Sequence, residues 1–401
     1  MRVCIVGNGL AGTMFAKSLR DLGGDMDIDI YGEEPYLYYP RPNMIEYLAG
    51  RIPFDRLFAF DAGWYEKKRL GVFLKSPVTG LFPDTNEIEI AGKSRESYDI
   101  LVISSGARSF IPPIKGADSP HVFTFRTLDE CRTLIDRLEN KKSLIILGGG
   151  LLGLEIARAA RARGAEVDVV EFFNRLLPRQ LDDEGAALLR QQIEGMGIRV
   201  HLGRACSEIQ SEEKHLRLLF KEGVDMTAES TVIAAGVRPW FDLALKAGLE
   251  TDKGLIVNDA LQTSNPAVYG VGDAVQFRDR VYGIIPAAFE QARTAARHVL
   301  GEDVRYTGTI PSNTLKIVGL DVTSIGLVSP EDEKTEELRS VREDLGIYKK
   351  LVLRDGVIVG AIWMGTKKGV GDLNRLVSSG TSVEKWKHQI LDEDFDFSII
   401  P

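Results

Sequence analysis

The chain has 401 residues, of which 44% are hydrophobic and 27% are charged, a composition typical of a globular protein with two or three domains. With 58 acidic and 50 basic residues the net charge is −8, which argues against a broad nucleic-acid surface. There is neither a run of about 18 apolar residues nor a signal-peptide pattern, so we expect no transmembrane span and a cytoplasmic location.

The first segment has the pattern of a βαβ unit with a glycine-rich first turn. A strand predicted over residues 2–6 leads through this turn into a helix with one apolar face, and a second strand follows over residues 27–31. Glycine at the turn permits a tight bend, close approach of the backbone to a pyrophosphate, and close packing of helix on strand. The helix N-terminus attracts the phosphates. The candidate contacts in the turn are Gly7, Gly9, Leu10, Ala11 and Gly12.

An acidic residue is expected after the second strand, where it binds the ribose hydroxyls of the adenosine. Either Glu33 or Glu34 can take this role, and the spacing does not choose between them. Because this turn follows a strand, opens a helix and precedes an acidic residue, it predicts a dinucleotide site.

The same pattern recurs roughly 140 residues later, about one domain length. A strand predicted over 143–147 leads into a glycine turn beginning at Gly148, then a helix over 154–163 and a strand over 167–171. Glu171 at the end of that strand accepts hydrogen bonds from a ribose 2′-hydroxyl and repels a 2′-phosphate, which favours NADH over NADPH. Arg175 and Arg179 lie nearby and would weaken that preference. The candidate contacts in the turn are Gly149, Gly150, Leu151, Leu152 and Gly153.

From about residue 307 the pattern changes to short strands, at 314–318, 348–353 and 357–362, with a hairpin turn at 354–356. We therefore predict an α/β protein with two Rossmann-like dinucleotide-binding domains and a small α+β C-terminal domain. The expected domains are 1–112 with 250–306, then 113–249, then 307–401. The acidic aromatic tail at 392–397 fits either a loose segment or one that packs on a partner.

Further segments occur in the order typical of one flavoprotein superfamily. Residues 98–106 resemble its segment ending in Ala-Thr-Gly, residues 231–239 resemble the counterpart of that segment, and residues 263–274 resemble its second flavin motif. Residues 39–42 and 125–127 resemble its Tyr-x-Arg-Pro and Leu-Arg-Thr motifs. Together with the two glycine turns, these segments resemble the glutathione reductase superfamily. The resemblance implies a fold of the glutathione reductase type. The pattern of these motifs is similar to that of rubredoxin–NAD reductases, of the flavin-binding part of NADH nitrite reductases, and of ferredoxin reductases of oxygenase systems.

The resemblance implies FAD at the first turn and a nicotinamide dinucleotide at the second, which Glu171 indicates to be NADH rather than NADPH. It implies that Asp273 bonds the ribityl chain, that Arg41 faces the flavin diphosphate, and that Arg126 reaches the flavin, since a guanidinium matches phosphate oxygens. Glu155 either approaches the nicotinamide, as a glutamate does in that family, or is an ordinary exposed helix residue. The remaining implied contacts are Pro42, Val78, Ser104, Ser105, Gly106, Gly272 and Phe289 for FAD and Gly236 for NAD.

Two departures from the family pattern concern electron transfer. Residues 41–48 contain no cysteine where relatives carry one or two, so the chain lacks the thiol relay of the disulfide reductases. Ile45-Glu46 stands where many relatives have a lysine, which puts the flavin potential and the acceptor in doubt. Elsewhere, three separated cysteines and five histidines have no metal-ligand spacing, so no metal site is expected. No acid–base catalyst is assigned, because hydride transfer requires none.

The resemblance implies that hydride passes from NADH to FAD and that electrons then leave to an external acceptor, foremost a small iron–sulfur protein such as rubredoxin or ferredoxin. The alternatives within the enzyme class are an NADH oxidase and an electron-entry subunit of a larger redox complex. A different class is a flavin-based redox-sensing interaction protein resembling apoptosis-inducing factor. Both a homodimer and a redox-complex subunit fit the sequence.

Overall fold

The computed structural model describes residues 1–91, 95–139, 142–317, 320–329 and 334–401. The chain forms two compact units. The first unit contains Met1–Tyr47, Ile52–Arg108 and Val237–Thr309, and the second contains Leu48–Arg51, Ser109–Gly236 and Ile310–Pro401. Among the described residues, no helix is both long enough and apolar enough to cross a membrane.

The helices are α1 Leu10–Asp21, α2 Arg41–Leu48, α3 Ala62–Lys67, α4 Leu128–Arg137, α5 Leu151–Ala162, α6 Asp183–Gly195, α7 Asp242–Lys246, α8 Ile285–Val299 and α9 Val370–Ser379. The strands of the first half are β1 Arg2–Val6, β2 Asp27–Tyr31, β3 Leu70–Phe73, β4 Val78–Phe82, β5 Glu87–Ile90, β6 Arg95–Ser97, β7 Ile100–Ile103, β8 Ala107–Ser109, β9 Val122–Phe123, β10 Ser143–Leu147, β11 Glu166–Val170 and β12 Ile198–His201. The later strands are β13 Cys206–Ser211, β14 Leu216–Phe220, β15 Met226–Ala228, β16 Ser230–Ile233, β17 Val237–Pro239, β18 Leu255–Val257, β19 Val268–Gly270, β20 Val275–Phe277, β21 Ser312–Ile317, β22 Leu320–Gly326, β23 Thr335–Arg342, β24 Ile347–Arg354 and β25 Val357–Met364.

The first unit is built on a parallel sheet with strand order β19-β7-β1-β2-β3. Its central strand β1 is almost entirely buried, as expected for a parallel strand that is covered on both faces. Helices α1 and α8 pack against each other, and small sheets of β4-β5-β6 and β18-β20 complete the unit. The carboxyl ends of the parallel strands share one edge, which is where ligands bind in open α/β sheets.

The second unit repeats this plan with the parallel order β12-β11-β10-β16-β9. Helix α5 packs on β10 and β11, and an antiparallel sheet of β13-β14-β15 lies beside β10. The strand predicted over 143–147 is β10, with the same bounds. The prediction of two Rossmann-like domains in an α/β chain is confirmed.

The same unit contains a five-stranded antiparallel sheet, β21-β22-β25-β24-β23, with α9 against β25. The predicted hairpin is present, since Asp355 and Gly356 join β24 and β25 with φ of 52° and 73°, as a two-residue type I′ turn requires. The predicted strand at 314–318 corresponds to β21, and Val318 lies outside the described residues. This sheet and α9 form the α+β part predicted for the C-terminal region.

The acidic aromatic tail is neither loose nor dependent on a partner for its packing. Phe395, Phe397 and Ile400 are buried in the core between the antiparallel sheet and α9. The acidic side chains of the tail, Asp392, Glu393, Asp394 and Asp396, are exposed to solvent.

Several predicted boundaries were wrong by one to three residues, and two of them bear on the second glycine turn. The helix predicted to begin at residue 154 begins at Leu151, because Gly150 already serves as its N-cap. The strand predicted over 167–171 is Glu166–Val170, so Glu171 follows the strand. The three-domain division stays a prediction, since residues 109–236 and 310–401 cluster in one unit.

A buried ionic network joins the antiparallel sheet to α6 within the second unit. Lys350 on β24 is only 1% exposed, and its Nζ lies 3.0 Å from Asp182 Oδ2 and 2.6 Å from Glu337 Oε1. The Tyr348 hydroxyl donates to Asp182 over 2.6 Å, and Asp182 also caps α6 by accepting from the Gly185 N–H. Burial alone would raise the pKa of Asp182, but these hydrogen bonds and the Lys350 charge hold it below its ordinary value. The Asp182 carboxylate therefore connects Tyr348 and Lys350 on β24 to the N-terminus of α6.

We expect Asp182→Ala to lower the free energy of unfolding by about 3–5 kcal/mol, because it leaves the buried ammonium of Lys350 with half its counter-charge and removes a helix cap. Urea denaturation measures the change. The control is Asp183→Ala, which truncates the neighbouring carboxylate, 89% exposed and paired with Arg175, and should alter stability by less than about 0.5 kcal/mol.

The lowered pKa of Asp182 fixes how this difference depends on pH. Its stabilising contribution is fully present above the ordinary aspartate pKa of about 4 and is lost as the pH falls through the lowered value. The gap between wild type and Asp182→Ala should therefore narrow below about pH 4. Equal destabilisation by the Asp183→Ala control would contradict the network.

Candidate functional site

The glycine turn after β1 is pressed against the end of β7. Gly7 has φ of 110°, and a Cβ atom on it would lie 2.5 Å from the Ser104 carbonyl oxygen. A Cβ atom on Gly12 would lie 2.3 Å from the Gly7 carbonyl oxygen. Neither separation can accommodate a side chain, so both glycines are required for the fold of the turn.

The middle glycine of this turn is different. No described atom lies within 4 Å of a Cβ atom built on Gly9, which is the N-cap of α1. No described side chain caps this helix, so the N–H groups of its first turn, at Leu10 and Ala11, are offered to a ligand. Open space at the N-terminus of a helix suits a phosphate group.

The sheet brings two further predicted segments to this turn. Ser104, Ser105 and Gly106 follow β7, and Gly272 and Asp273 follow β19, so both segments leave the same edge of the sheet as Gly7. A Cβ atom on Gly272 would lie 2.7 Å from the Ala11 Cβ atom, which places the Asp273 turn directly against α1.

The two serines face the protein backbone. The Ser104 hydroxyl is buried and donates to the carbonyl oxygens of Val6 and Gly7 over 2.9 and 3.1 Å. The Ser105 hydroxyl donates to the Trp240 carbonyl oxygen over 2.5 Å. Ser104 therefore supports the glycine turn from behind, a role that the sequence did not indicate.

The two candidate acidic residues after β2 have different surroundings. Glu34 accepts a hydrogen bond from the Tyr39 hydroxyl over 2.5 Å and lies 3.6 Å from Arg41, the first residue of α2, which Pro42 follows. Glu33 is exposed and lies 3.7 Å from Arg108. The structure therefore engages Glu34 with the Arg-Pro loop and leaves Glu33 near solvent.

Three other predicted flavin contacts are more scattered. Val78 begins β4, and its side chain packs against the core of the first unit. Phe289 is an exposed residue of α8. Arg126 belongs to the second unit, where its N–H donates to Glu130 beside the capping box of α4. These three assignments stay predictions.

The glycine turn after β10 repeats the first one closely. Gly148 has φ of 129°, and a Cβ atom on it would lie 2.4 Å from the Ala234 carbonyl oxygen. A Cβ atom on Gly153 would lie 1.9 Å from the Gly148 carbonyl oxygen, whereas no described atom lies within 4 Å of one on Gly150. The first turn of α5, with Leu151 and Leu152, likewise has no cap from a described side chain. Both turns thus have the shape of a phosphate cradle.

Glu171 closes this second cradle. Its carboxylate is buried and accepts from the Gly149 N–H over 2.6 Å and from the Phe173 N–H over 2.9 Å. A depression of about 410 Å³ follows, lined by Phe173, Asn174, Arg175, Pro178 and Arg179. The acidic residue, the glycine turn and this depression therefore adjoin one another in the second unit.

Gly236 and Glu155 complete the predicted nicotinamide-dinucleotide residues. Gly236 follows β16 with φ of 100°, and no described atom lies within 4 Å of a Cβ atom built on it. Glu155 lies on α5 and is 16% exposed, and its carboxylate lies 2.9 Å from Arg158, which is 5% exposed. Glu155 is therefore not the ordinary exposed helix residue that was one of the two interpretations.

Two polar residues that support the first cradle were not predicted as site residues. The buried side chain of Gln291 on α8 accepts from the Gly272 N–H over 2.8 Å and so holds the Asp273 turn. Asn8 accepts from the Thr13 hydroxyl over 3.2 Å and donates to the Tyr36 carbonyl oxygen over 3.4 Å. The variable position of the glycine motif was the only sequence signal for Asn8, whereas Gln291 belongs to the segment 289–291 that the resemblance placed near the flavin ring.

The surroundings of the three cysteines do not favour thiol chemistry. Burial raises the pKa of Cys4 and Cys131 to about 12 and that of Cys206 to about 11, so all three are neutral thiols near pH 7. All three are free. Among the described residues, no group of His, Cys, Asp and Glu could hold a metal ion.

Comparison with known proteins agrees with this geometry. Residues 1–297 match the family described as pyridine nucleotide-disulphide oxidoreductase, and residues 311–381 match the rubredoxin NAD+ reductase C-terminal domain. A ferredoxin reductase from Rhodopseudomonas palustris has a crystal structure similar to this chain with a TM-score of 0.91, at 26% identity, over 99% of both chains.

Two relatives differ in how much of their length this chain covers. The assimilatory nitrate reductase electron transfer subunit of Bacillus subtilis is 33% identical over 94% of this chain and 49% of its own length. The NADH-rubredoxin oxidoreductase of Clostridium acetobutylicum is 29% identical over 91% of this chain and 93% of its own length. The chain spans about half the length of the nitrate and nitrite reductase proteins that it matches.

The strand–turn–helix cradles, the order of the motifs along the chain and these matches agree with one another. The chain belongs to the pyridine nucleotide-disulphide oxidoreductase family and has a C-terminal domain of the rubredoxin NAD+ reductase type.

Proposed function

We propose that the first unit binds FAD. The open space at Gly9 and the first turn of α1 would receive the diphosphate, and Asp273, held against α1 by the Gly272 turn, would bond the ribityl chain. Glu33 is the better candidate for the adenosine ribose, because the Glu34 carboxylate is engaged by Tyr39 and Arg41. The cradle fits the group, since a pyrophosphate requires the space that a Cβ atom at Gly9 would fill.

The second unit would bind NADH. The Gly150 cradle would receive the diphosphate, and Glu171 would accept the ribose hydroxyls of the adenosine with the lone pairs not used by its two backbone donors. Arg175 already pairs with Asp183 over 3.0 Å and donates to the Pro178 carbonyl oxygen, which reduces its availability for a 2′-phosphate. These contacts support a preference for NADH over NADPH.

The function that this arrangement supports best is an FAD-containing NADH oxidoreductase that passes electrons to an external iron–sulfur protein such as rubredoxin or ferredoxin. The observation that carries it is the pair of phosphate cradles in one chain. FAD, when bound, can accept electrons as a pair and release them singly. Because Cys4, Cys131 and Cys206 are neutral thiols and residues 41–48 contain no cysteine, the acceptor would be outside the chain.

An iron–sulfur acceptor is supported by the C-terminal region. Residues 311–381 match a domain described from rubredoxin NAD+ reductase, and the Clostridium acetobutylicum relative is an NADH-rubredoxin oxidoreductase. A Methanocaldococcus jannaschii NADH oxidase is 32% identical over 82% of this chain, so oxygen is the competing acceptor. A cytoplasmic location and a homodimer stay predictions.

The first test is anaerobic reduction of the purified protein. It should be yellow, should bleach on addition of NADH and more slowly with NADPH, and should recover its colour when oxidised rubredoxin or ferredoxin is added, which absorbance measures. The control omits the iron–sulfur protein and admits air. Recovery in air alone would favour an NADH oxidase, and a colourless protein that cannot be reconstituted with FAD would refute the proposal.

Substitution of the glycines distinguishes an effect on FAD binding from an effect on the stability of the fold. Gly9→Ala should weaken FAD binding at least about tenfold, because the methyl group occupies the diphosphate space, yet change the stability of the FAD-free protein by no more than about 1 kcal/mol. Gly12→Ala should destabilise the fold itself by about 1–3 kcal/mol or more, since its Cβ atom would meet the Gly7 carbonyl. FAD titration and urea denaturation measure the two effects.

The matched control is Gly195→Ala, at the end of α6, where a Cβ atom meets no described atom within 4 Å and no motif is involved. It should alter neither quantity appreciably. Normal FAD affinity in Gly9→Ala would contradict the placement of the diphosphate.

A second candidate is an electron-entry component of a larger redox assembly. It is favoured by the nitrate and nitrite reductase relatives, of which this chain covers 49%, 47% and 45% while 94% of the chain matches.

Affinity purification of the full chain from its native cell distinguishes the two candidates. An electron-entry component should co-purify in fixed ratio with a larger redox protein, and NADH should reduce the cofactors of that protein. Recovery of the chain alone, with NADH-dependent reduction of added rubredoxin or ferredoxin, would favour the first candidate instead.

A further inference from the structure

A series of side-chain hydrogen bonds in the first unit runs from solvent to the turn at Gly272. Thr309 donates to the exposed Glu290 carboxylate, and the Tyr306 hydroxyl lies 2.7 Å from the Thr309 hydroxyl oxygen. The Gln291 side chain hydrogen-bonds the Tyr306 hydroxyl and accepts from the Gly272 N–H over 2.8 Å. One continuous hydrogen-bond series is therefore formed by Glu290, Thr309, Tyr306 and Gln291, and it ends at the backbone of the turn.

The burial of this hydrogen-bond series increases towards the turn. Thr309 is 8% exposed, Tyr306 is 3% exposed and Gln291 is 1% exposed. The Tyr306 ring also packs against Phe277, with ring centroids 4.8 Å apart, and the Tyr306 N–H donates to the Asp259 carbonyl oxygen over 2.7 Å. Because water cannot replace a lost partner at such buried positions, removal of one hydroxyl leaves its neighbour unsatisfied.

The hydrogen bonds of the series all point in one direction. A carboxylate only accepts, so the single hydroxyl proton of Thr309 is directed to Glu290, and the Tyr306 proton is donated to Thr309. Burial raises the pKa of Tyr306 to about 12, so this proton is present near pH 7. The Tyr306 oxygen then accepts from the Gln291 N–H₂ group, whose carbonyl accepts from Gly272. Hydrogen bonds aligned in this way strengthen one another.

The turn at the buried end of the series belongs to the first cradle. A Cβ atom on Gly272 would lie 2.7 Å from a Cβ atom of α1, and Asp273 is the next residue. We propose that Tyr306 and Thr309 are positioning residues for the FAD site, which act through Gln291 and fix this turn at the cradle. A turn that is already ordered loses less conformational entropy when a ligand binds. This inference rests on the proposed FAD site in the first unit.

The test follows the release of FAD from the FAD-loaded full chain after dilution, measured by flavin fluorescence. We expect Thr309→Val, which keeps the shape of the side chain and removes its hydroxyl, to speed this release about tenfold, because the buried Tyr306 proton loses its acceptor and the turn loses a restraint. Tyr306→Phe should speed the release by a similar factor. Thr309→Ser, which keeps a hydroxyl, should release FAD within about twofold of the wild-type rate.

Further variants and a second measurement complete the design. Thr307→Val is the matched control, because it makes the same chemical change on an exposed side chain two residues away, and it should leave the release rate unchanged. The double variant Tyr306→Phe/Thr309→Val should release FAD no faster than Tyr306→Phe, since loss of the Tyr306 hydroxyl already separates Thr309 from Gln291. Glu290→Ala should have a smaller effect than Thr309→Val, because water can replace an exposed acceptor. The visible circular dichroism of bound FAD should change in Thr309→Val and recover in Thr309→Ser.

The outcomes distinguish this inference from the proposed FAD site. Wild-type release rates in both Thr309→Val and Tyr306→Phe would overturn the positioning role, as would equal acceleration in Thr307→Val or a failure of Thr309→Ser to keep release slow. If Thr309→Val does not fold, Tyr306→Phe carries the same comparison. A wild-type protein that cannot be loaded with FAD would refute the FAD site and this inference together.

Discussion

The tight contact between a turn glycine and the end of the neighbouring parallel strand is the constraint on which both proposed sites depend. Gly7 lies against the Ser104 carbonyl and Gly148 lies against the Ala234 carbonyl, each at a positive φ. This contact turns the chain sharply from a buried strand into a helix whose first N–H groups are uncapped by described side chains. A phosphate cradle at the carboxyl edge of the sheet follows from that geometry.

The two cradles are near copies that differ in what surrounds them. At the first, the Gly272 turn contacts α1 and is held by Gln291, so a second segment of the chain closes on the ligand space. At the second, a buried carboxylate, Glu171, bonds the glycine turn directly and an open depression follows. This difference supports a retained FAD at the first cradle and an exchangeable NADH at the second.

The remaining features concern where electrons leave and how the C-terminal region is held. Burial keeps the three thiols neutral, so none of them is suited to the disulphide chemistry after which the family is named. The antiparallel sheet is fixed to α6 by Lys350 and Asp182, and the acidic tail buries its phenylalanines in the chain's own core. The C-terminal region thus has a defined position within the second unit.

The sequence by itself determined the two Rossmann-like segments, their glycine turns and the family, because a positive φ and a close backbone contact can be met only by glycine and so leave a pattern in the residues. It placed β1 and β10 correctly because buried parallel strands are continuous apolar runs, and β2 because its isoleucines alternate with aspartates at the two-residue period of a strand. Only the tertiary structure could join Lys350 to Asp182, which are 168 residues apart, or Gln291 to Gly272. Only the tertiary structure shows that Glu34, rather than Glu33, contacts Tyr39 and Arg41. The distance from the glycine turn along the sequence could not distinguish the two adjacent acidic residues. The spacing of Glu155 and Arg158 is visible in the sequence, but the burial of the two side chains depends on how the folded chain covers α5.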